Sequence, residues 1–240
     1  SLAQNGAKVG LMDADVYGPN VPLMLGTGFE QPPVFNGQLI PLEAHGVKMI
    51  SMALLVPQDK PMILRGPMLH GIVRQFLTDV NWGELDYLVV DMPPGTGDVQ
   101  LSLAQLVPVQ GAVVVTTPQE VSLADVRRAV KMFEQVNVPV LGVIENMSYF
   151  IAPDTGARYN IFGEGGGKKI SDEYGLKFLG EVPMGIEVRE GGDRGIPVVI
   201  SAPGSPQAEA FRKVAEEVAR EISIEAMKPE LTILSKAHQH

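Results

Sequence analysis

Short apolar runs alternate along this chain with longer segments whose apolar residues recur every three or four positions. Strand-like runs fall at 8–12, 46–52, 86–91, 111–116, 139–144, 176–181 and 197–200. Helical periodicity covers 66–79, 98–107, 119–136 and 205–222. In 119–136 the apolar set is Val121, Leu123, Val126, Val130 and Phe133. In 205–222 it is Ala208, Phe211, Val214, Ala215, Val218 and Ile222, a single stripe. Strand, helix, strand in series predicts βαβ units and an α/β fold: a doubly wound, mostly parallel sheet flanked by helices. The pattern predicts a single α/β domain over 1–222 and a tail, 223–240, without a clear packing partner. The Gly/Pro-rich stretch 26–45 reads as a surface insertion. Ser1–Gly6 reads as the last turns of a helix stopped by Asn5-Gly6.

Two of the strand runs end in acids. Leu88–Val90 leads into Asp91, then the loop Met-Pro-Pro-Gly-Thr-Gly closes on Asp98. Val9–Met12 leads into Asp13 and Asp15, then a turn at Gly18-Pro19. In open α/β sheets ligands bind beyond the carboxyl ends of the strands. Asp91 therefore stands where a Walker-B carboxylate holds Mg²⁺ for phosphoryl transfer. Gly95 and Gly97 let the following loop change conformation or approach a phosphate closely. Asp13 and Asp15, two residues apart on an extended chain, share a face. One acid near a metal and one near a water is what hydrolysis of a phosphoanhydride requires. A DxD alone is a weak signal, and the blander reading of either cluster is an ordinary Asp/Pro/Gly turn.

Composition removes several classes. The 240 residues are 45% apolar, enough for one large core. A net charge of −9 and a pI near 5.0 argue against a nucleic-acid surface. No apolar run approaches the roughly 18–20 residues that span a bilayer. There is no cysteine, so these residues supply no disulfide, thiol nucleophile or thiolate metal ligand. These features fit a cytoplasmic protein without membrane or nucleic-acid partners. His45 and His70 are isolated, and no histidine pair has metal-ligand spacing within an element. The run at 163–167 followed by Lys168-Lys169 fails the GxxxxGK[ST] spacing and more simply shapes a turn that opens a helix. Arg65 and Arg74 flank a helix; they either reach a partner's phosphate or face water, and water is favoured.

From residue 1 to about 222 the chain resembles the Mrp/ApbC type of deviant P-loop ATPase, in the MinD-like group. The resemblance rests on Gly10–Asn20 (GLMDADVYGPN), Arg65–Met68 (RGPM), Asp91–Asp98 (DMPPGTGD), Thr116–Gln119 (TTPQ) and Glu145–Phe150 (ENMSYF). Tyr159–Gly167 (YNIFGEGGG) and Gly180–Glu190 (GEVPMGIEVRE) extend it. So many collinear motifs make it highly specific. It implies a homodimeric Mg-ATP-binding ATPase that assists iron–sulfur cluster assembly or transfer to client or scaffold proteins.

The resemblance also implies roles. Asp15 would orient the attacking water, with Asp13 behind it near the metal. Asp91 would reach Mg²⁺ through water. Gly95, Thr96, Gly97 and Asp98 would sense the γ-phosphate. Asn146 would read the adenine edge, and the loop from Pro183 to Glu187 would cover the base. Blander roles stay open: Asp13 as a hydrogen-bonded structural acid, Asn146 as a turn cap.

Two departures from the family pattern stand out. The Walker A loop, with its amide cradle, lysine and Mg²⁺-binding Ser/Thr, is not among these residues and would lie just upstream of Ser1; without it the chain should bind nucleotide poorly. The CxxC pair that many members carry is replaced: its two positions hold Ala152 and Thr155, and clusters are normally held by cysteine. Asp154, Arg158 and Tyr159 then read as a solvated turn. Two other functions compete: a non-catalytic scaffold or carrier keeping the fold, and a MinD/ParA-like positioning ATPase. The mixed charges of 205–222 and the lack of a basic cluster in the tail speak against the last.

Overall fold

The computed structural model describes residues 1–15, 18, 20–54, 66–95, 97–107 and 109–228, with the side chains of 66–69, 98, 99, 102 and 103 left aside. Eleven strands lie among the described residues: β1 Val9–Asp13, β2 Val34–Phe35, β3 Gln38–Leu39, β4 Leu42–Ala44, β5 Val47–Ser51, β6 Tyr87–Asp91, β7 Ala112–Thr116, β8 Val140–Glu145, β9 Phe150–Ile151, β10 Arg158–Tyr159 and β11 Phe178–Glu181. The helices are α1 Val21–Met24, α2 Gly66–Thr78, α3 Asp98–Leu106, α4 Glu120–Gln135, α5 Gly166–Tyr174, α6 Ile186–Arg194, α7 Val198–Ser201 and α8 Pro206–Ala226.

The strands form two main sheets. One has the order β4-β5-β1-β6, parallel except where β4 meets β5. The other has the order β11-β8-β7 and is all parallel. The expected α/β architecture of mostly parallel strands flanked by helices is therefore present. Among the described residues its sheet is not continuous: there β6 pairs only with β1, and β7 only with β8. Val89 on β6 and Val115 on β7 are 42% and 56% exposed, unusual for strands of this apolar character.

Each sheet has its own core. Met12, Ile50, Val73 and Phe76 pack without exposure in the first, closed by Trp82, whose Nε1–H donates to the Phe76 carbonyl at 2.9 Å. In the second, Val114 and Val143 meet Leu123, Val126 and Val130 of α4 and Ile170 of α5. Val121 is 81% exposed. Leu123, Val126 and Val130 recur at three and four residues, and Val121 falls off that stripe. Helix α8 begins at the N-cap Ser205, whose Oγ accepts from the Ala208 N–H at 3.1 Å, with Pro206 next. It continues to Ala226, past the predicted end at 222.

One predicted strand is a helix. Residues 197–200 were expected to be extended; instead Pro197 is the N-cap of α7. Val198 and Val199 pack on Ala208 of α8 in a third cluster. β-Branched residues favour strands mainly because they pack on a pleated, half-buried surface. Here a helix face offers that burial, and Pro197 supplies no N–H for a ladder. Ser1–Gly6 forms a helical turn, with the Asn5 N–H on the Ser1 carbonyl and Gly6 at φ +90°. The predicted insertion carries the β2/β3 hairpin and is pinned to the α6–α7 corner. There the Gly26 and Gly195 backbones touch, and His45 Nε2 meets the Gly195 carbonyl at 2.9 Å.

Candidate nucleotide site

The register of the first sheet assembles the acids. Asp13 lies opposite Ser51 on one side and opposite Asp91 on the other, so three parallel strands end level. The Ala14 N–H donates to the Asp91 carbonyl at 2.9 Å, locking that alignment. Asp13 is fully buried. Its Oδ2 accepts from Ser51 Oγ at 2.7 Å and its Oδ1 from the Asp15 N–H at 3.1 Å. Burial pushes its pKa up to about 6; the two hydrogen bonds oppose this, and the charges of Asp91 and Asp15 add to it. Asp91 is raised in the same direction by desolvation and then by Asp15. Asp15 is half-buried, and its Oδ1 accepts from the Gly18 N–H at 3.2 Å.

Three mutually repelling carboxylates thus gather at the ends of two adjacent strands, β1 and β6, an arrangement that a cation would relieve. The donor set is hard oxygen, which suits Mg²⁺. Among the described residues no three acidic or imidazole side chains close around a single ion position. A bound Mg²⁺ would thus draw most of its shell from water and phosphate, its ordinary habit.

The loop after β6 is braced from α3. Gln100, buried, donates its Nε2–H to the Pro94 carbonyl at 2.5 Å. Gly95 sits at φ +99°, a conformation that a side chain would strain. Gly97 lies beside the Gln100 amide. Thr96 and Arg65 lie outside the described residues, as does the side chain of Asp98. Arg74 is exposed.

The predicted base-reading residues come together at the other sheet. Asn146 follows β8; its N–H donates to the Thr116 carbonyl at 2.7 Å, and its Oδ1 accepts from the Met147 N–H at 2.9 Å. The loop bearing Pro183 runs alongside. The Val182 N–H reaches the Glu145 carbonyl at 2.8 Å, the Ser148 N–H the Val182 carbonyl at 3.0 Å, and the Met184 N–H the Tyr149 carbonyl at 2.7 Å. Pro183 is buried; Ile186 and Glu187 are exposed at the start of α6. Gln207 holds the loop from behind: its Nε2–H donates to the Met184 carbonyl at 2.8 Å. A Cβ at Gly185 would come within 2.4 Å of Gln207.

Sequence reasoning missed Ser51, Gln100, Glu145, Ser148 and Gln207. The available signal was a polar residue closing an otherwise apolar strand, as Ser51 and Glu145 do. The glycine run does open a helix, as expected. A Cβ at Gly166 would lie 2.5 Å from the Pro118 carbonyl oxygen, and one at Gly167 would lie 2.9 Å from Glu145 Cβ. Ala152 and Thr155 share the tight turn between β9 and β10, where the Gly156 N–H donates to the Ala152 carbonyl at 2.8 Å. Beside them Arg158 stacks over Tyr149 at 3.8 Å and pairs with Glu181 at 3.4 Å.

The sequence profile of ParA, described as NUBPL iron-transfer P-loop NTPase, matches residues 1–219. The chain belongs to this family. The iron–sulfur cluster carrier protein of Synechocystis is 56% identical to this ParA/NUBPL-family chain over 232 residues, covering 95% of the chain and 66% of the relative. That of Deinococcus radiodurans is 55% identical over 228 residues, covering 95% and 65%. The chain thus spans slightly under two thirds of these relatives. Among solved structures, the nucleotide-binding protein of Archaeoglobus fulgidus in complex with ADP superposes with a TM-score of 0.74 at 36% identity, covering 87% of this chain and 81% of that one. The cell-division ATPase MinD of Pyrococcus furiosus shares the fold alone, with a TM-score of 0.65 at 20% identity over 91% and 88% of the two chains. Among the described residues no helix is long and apolar enough to cross a membrane.

Proposed function

We propose that this NTPase-family chain is the greater part of a homodimeric Mg-ATPase whose nucleotide cycle serves iron–sulfur cluster assembly or transfer. The observation that carries the nucleotide reading is the level alignment of Asp13 and Asp91 at the ends of β1 and β6, with Asp15 two residues beyond and tied back to Asp13. In this reading Asp91 holds Mg²⁺ through water, and Asp15 orients the attacking water. Asp13 sits behind both and stiffens the Asp15 backbone through its Oδ1. Mg²⁺, when bound, supplies charge neutralisation at the transferring phosphoryl group. The loop with Gly95, Thr96 and Gly97 senses the γ-phosphate, Asn146 reads the base, and Pro183 to Glu187 cover it.

The phosphate cradle is the part that residues 1–240 do not supply. The edges of β6 and β7, unpaired among the described residues and each with an exposed valine, support the insertion of one further parallel strand between the two sheets. We assign that strand and its phosphate loop to residues upstream of Ser1. The relatives named as iron–sulfur cluster carriers support the client chemistry. The cluster is cargo, and no residue of this chain offers it a thiolate; Ala152 and Thr155 stand where the family's pair would be. This favours a role in which these residues supply the nucleotide cycle and another polypeptide segment or partner supplies the cluster ligands.

Calorimetric titration of Mg-ATP into the 240 residues, with and without the upstream segment, tests the reading. Binding only with the segment supports it; no binding in either form removes it and leaves a scaffold with the fold. Asp15→Asn in the longer form should bind Mg-ATP within about threefold of wild type and lose turnover by about 10²-fold or more, the scale of a lost general-base or water-positioning group. Unchanged turnover would take Asp15 out of the mechanism.

A further inference from the structure

Glu145 closes β8 with no exposure to solvent. A buried carboxylate is costly unless it is paired or fully hydrogen-bonded. No ion pair reaches it among the described residues; both oxygens instead accept short hydrogen bonds. Oε1 takes the Ser148 Oγ–H at 2.5 Å, and Oε2 takes the Gly167 N–H at 2.5 Å. The second donor lies in the first turn of α5, where the helix dipole also favours negative charge. The close approach is built in: Gly167 leaves only 2.9 Å between a would-be Cβ and Glu145 Cβ, and 3.0 Å to Phe178.

The two donors sit on different segments: Ser148 closes the Asn146–Ser148 turn, and Gly167 lies at the start of α5. That turn is not a relaxed one. Met147 has φ +51°, a left-handed conformation rare for a side chain of its size, and is 43% exposed. Such conformations persist when the surroundings over-determine them. The Glu145 carboxylate, the Asn146 Oδ1 bond to Met147 and the Ser148 N–H bond to Val182 do so here. The bond from the Met147 N–H fixes which way the Asn146 amide faces, leaving its N–H₂ as the donor for a ligand and one Oδ1 lone pair as an acceptor.

We propose that Glu145 is a positioning residue for base recognition: its buried carboxylate clamps the Asn146–Ser148 turn to the first turn of α5 and so fixes the direction in which Asn146 presents its N–H₂. This rests on the reading of Asn146 as the base contact. Glu145 touches no ligand; it acts through Ser148 and Gly167.

The test compares Kd for Mg-ATP with Kd for Mg-tripolyphosphate, which has no base, in the full-length protein. Asn146→Ala should lower the preference for ATP about tenfold, the scale of one lost hydrogen bond. Glu145→Ala should lower it to a similar extent while leaving tripolyphosphate affinity within about twofold. Glu145→Gln should restore most of it, because the glutamine Oε1 can accept from Gly167 and its amide can donate to Ser148 Oγ. If Asn146→Ala lowers the preference and Glu145→Ala does not, the clamp is wrong and the base reading stands. If neither lowers it, Asn146 does not read the base and the inference falls with it. Equal loss of both affinities in Glu145→Ala would assign it a purely structural role and overturn the inference. Should Glu145→Ala fail to fold, Ser148→Ala decides: it should reduce the preference about threefold, and an unchanged ratio would overturn the clamp.

Discussion

Replacing Asp13 by asparagine should stabilise the protein, by an amount that grows with pH. Asp13 is buried against Ser51 and the Asp15 amide, with two further carboxylates nearby. Its pKa rises from 3.8 to about 6. A folded-state pKa above the unfolded one means that the stability contributed by the protonated form is fully present below about pH 4. It is lost as pH rises through 6. The whole span is worth at most about 3 kcal/mol; screening at the open rim of the site reduces it. Asparagine never ionises, has nearly the same shape, and keeps an oxygen for the Asp15 N–H. Its amide can donate to Ser51 Oγ. Relative to wild type, Asp13→Asn should therefore gain about 1–2 kcal/mol between pH 5 and pH 8, with the gain levelling off above pH 7. Urea denaturation at four or five pH values, with a chelator present, measures it. Chelation matters because a divalent cation would offset the repulsion. A difference independent of pH, or a variant less stable than wild type at pH 8, would refute the argument that an ionised Asp13 is disfavoured by its surroundings.

Three further substitutions probe the scaffold. Phe76→Ala empties a fully buried position in the first core and should cost about 3–5 kcal/mol by denaturant unfolding; a loss under about 1 kcal/mol would mean that α2 does not seal this sheet. Gly166→Ala sets a methyl 2.5 Å from the Pro118 carbonyl oxygen, where only backbone movement can relieve it. It should lose about 1–3 kcal/mol, on the scale of overpacking, and an unchanged melting temperature would show that the α5 start is not held there. Ser205→Ala removes the N-cap of α8 and should cost about 1 kcal/mol, with Ser205→Asp close to neutral in the same unfolding measurement.

Periodicity and strand-end chemistry in the sequence were enough to predict six of the strands in the two main sheets, the helices α2, α3, α4 and α8, and the carboxylates Asp13, Asp15 and Asp91. The reason is physical: a parallel strand buried on both faces must be continuously apolar, so a charged residue at its end is conspicuous. The same logic places Asn146 at a strand end. What the linear pattern could not carry is everything set by register and close approach. That Asp13 lies level with Ser51 and Asp91 is a property of three strands separated by more than thirty residues. That Gly166 and Gly167 must lack side chains depends on Pro118 and Glu145, neighbours only in space. The run 197–200 looked extended because β-branched residues look alike wherever they are buried; contact with α8, not local preference, made it helical. The runs 86–91 and 111–116 read as ordinary buried strands, and the exposed Val89 and Val115 with two edges open among the described residues emerged only from the pairing. The sequence by itself determined which residues seek burial or a cation. Tertiary structure decided which of them meet, because hydrogen-bond register and van der Waals contact act over ångströms in space and leave no period along the chain.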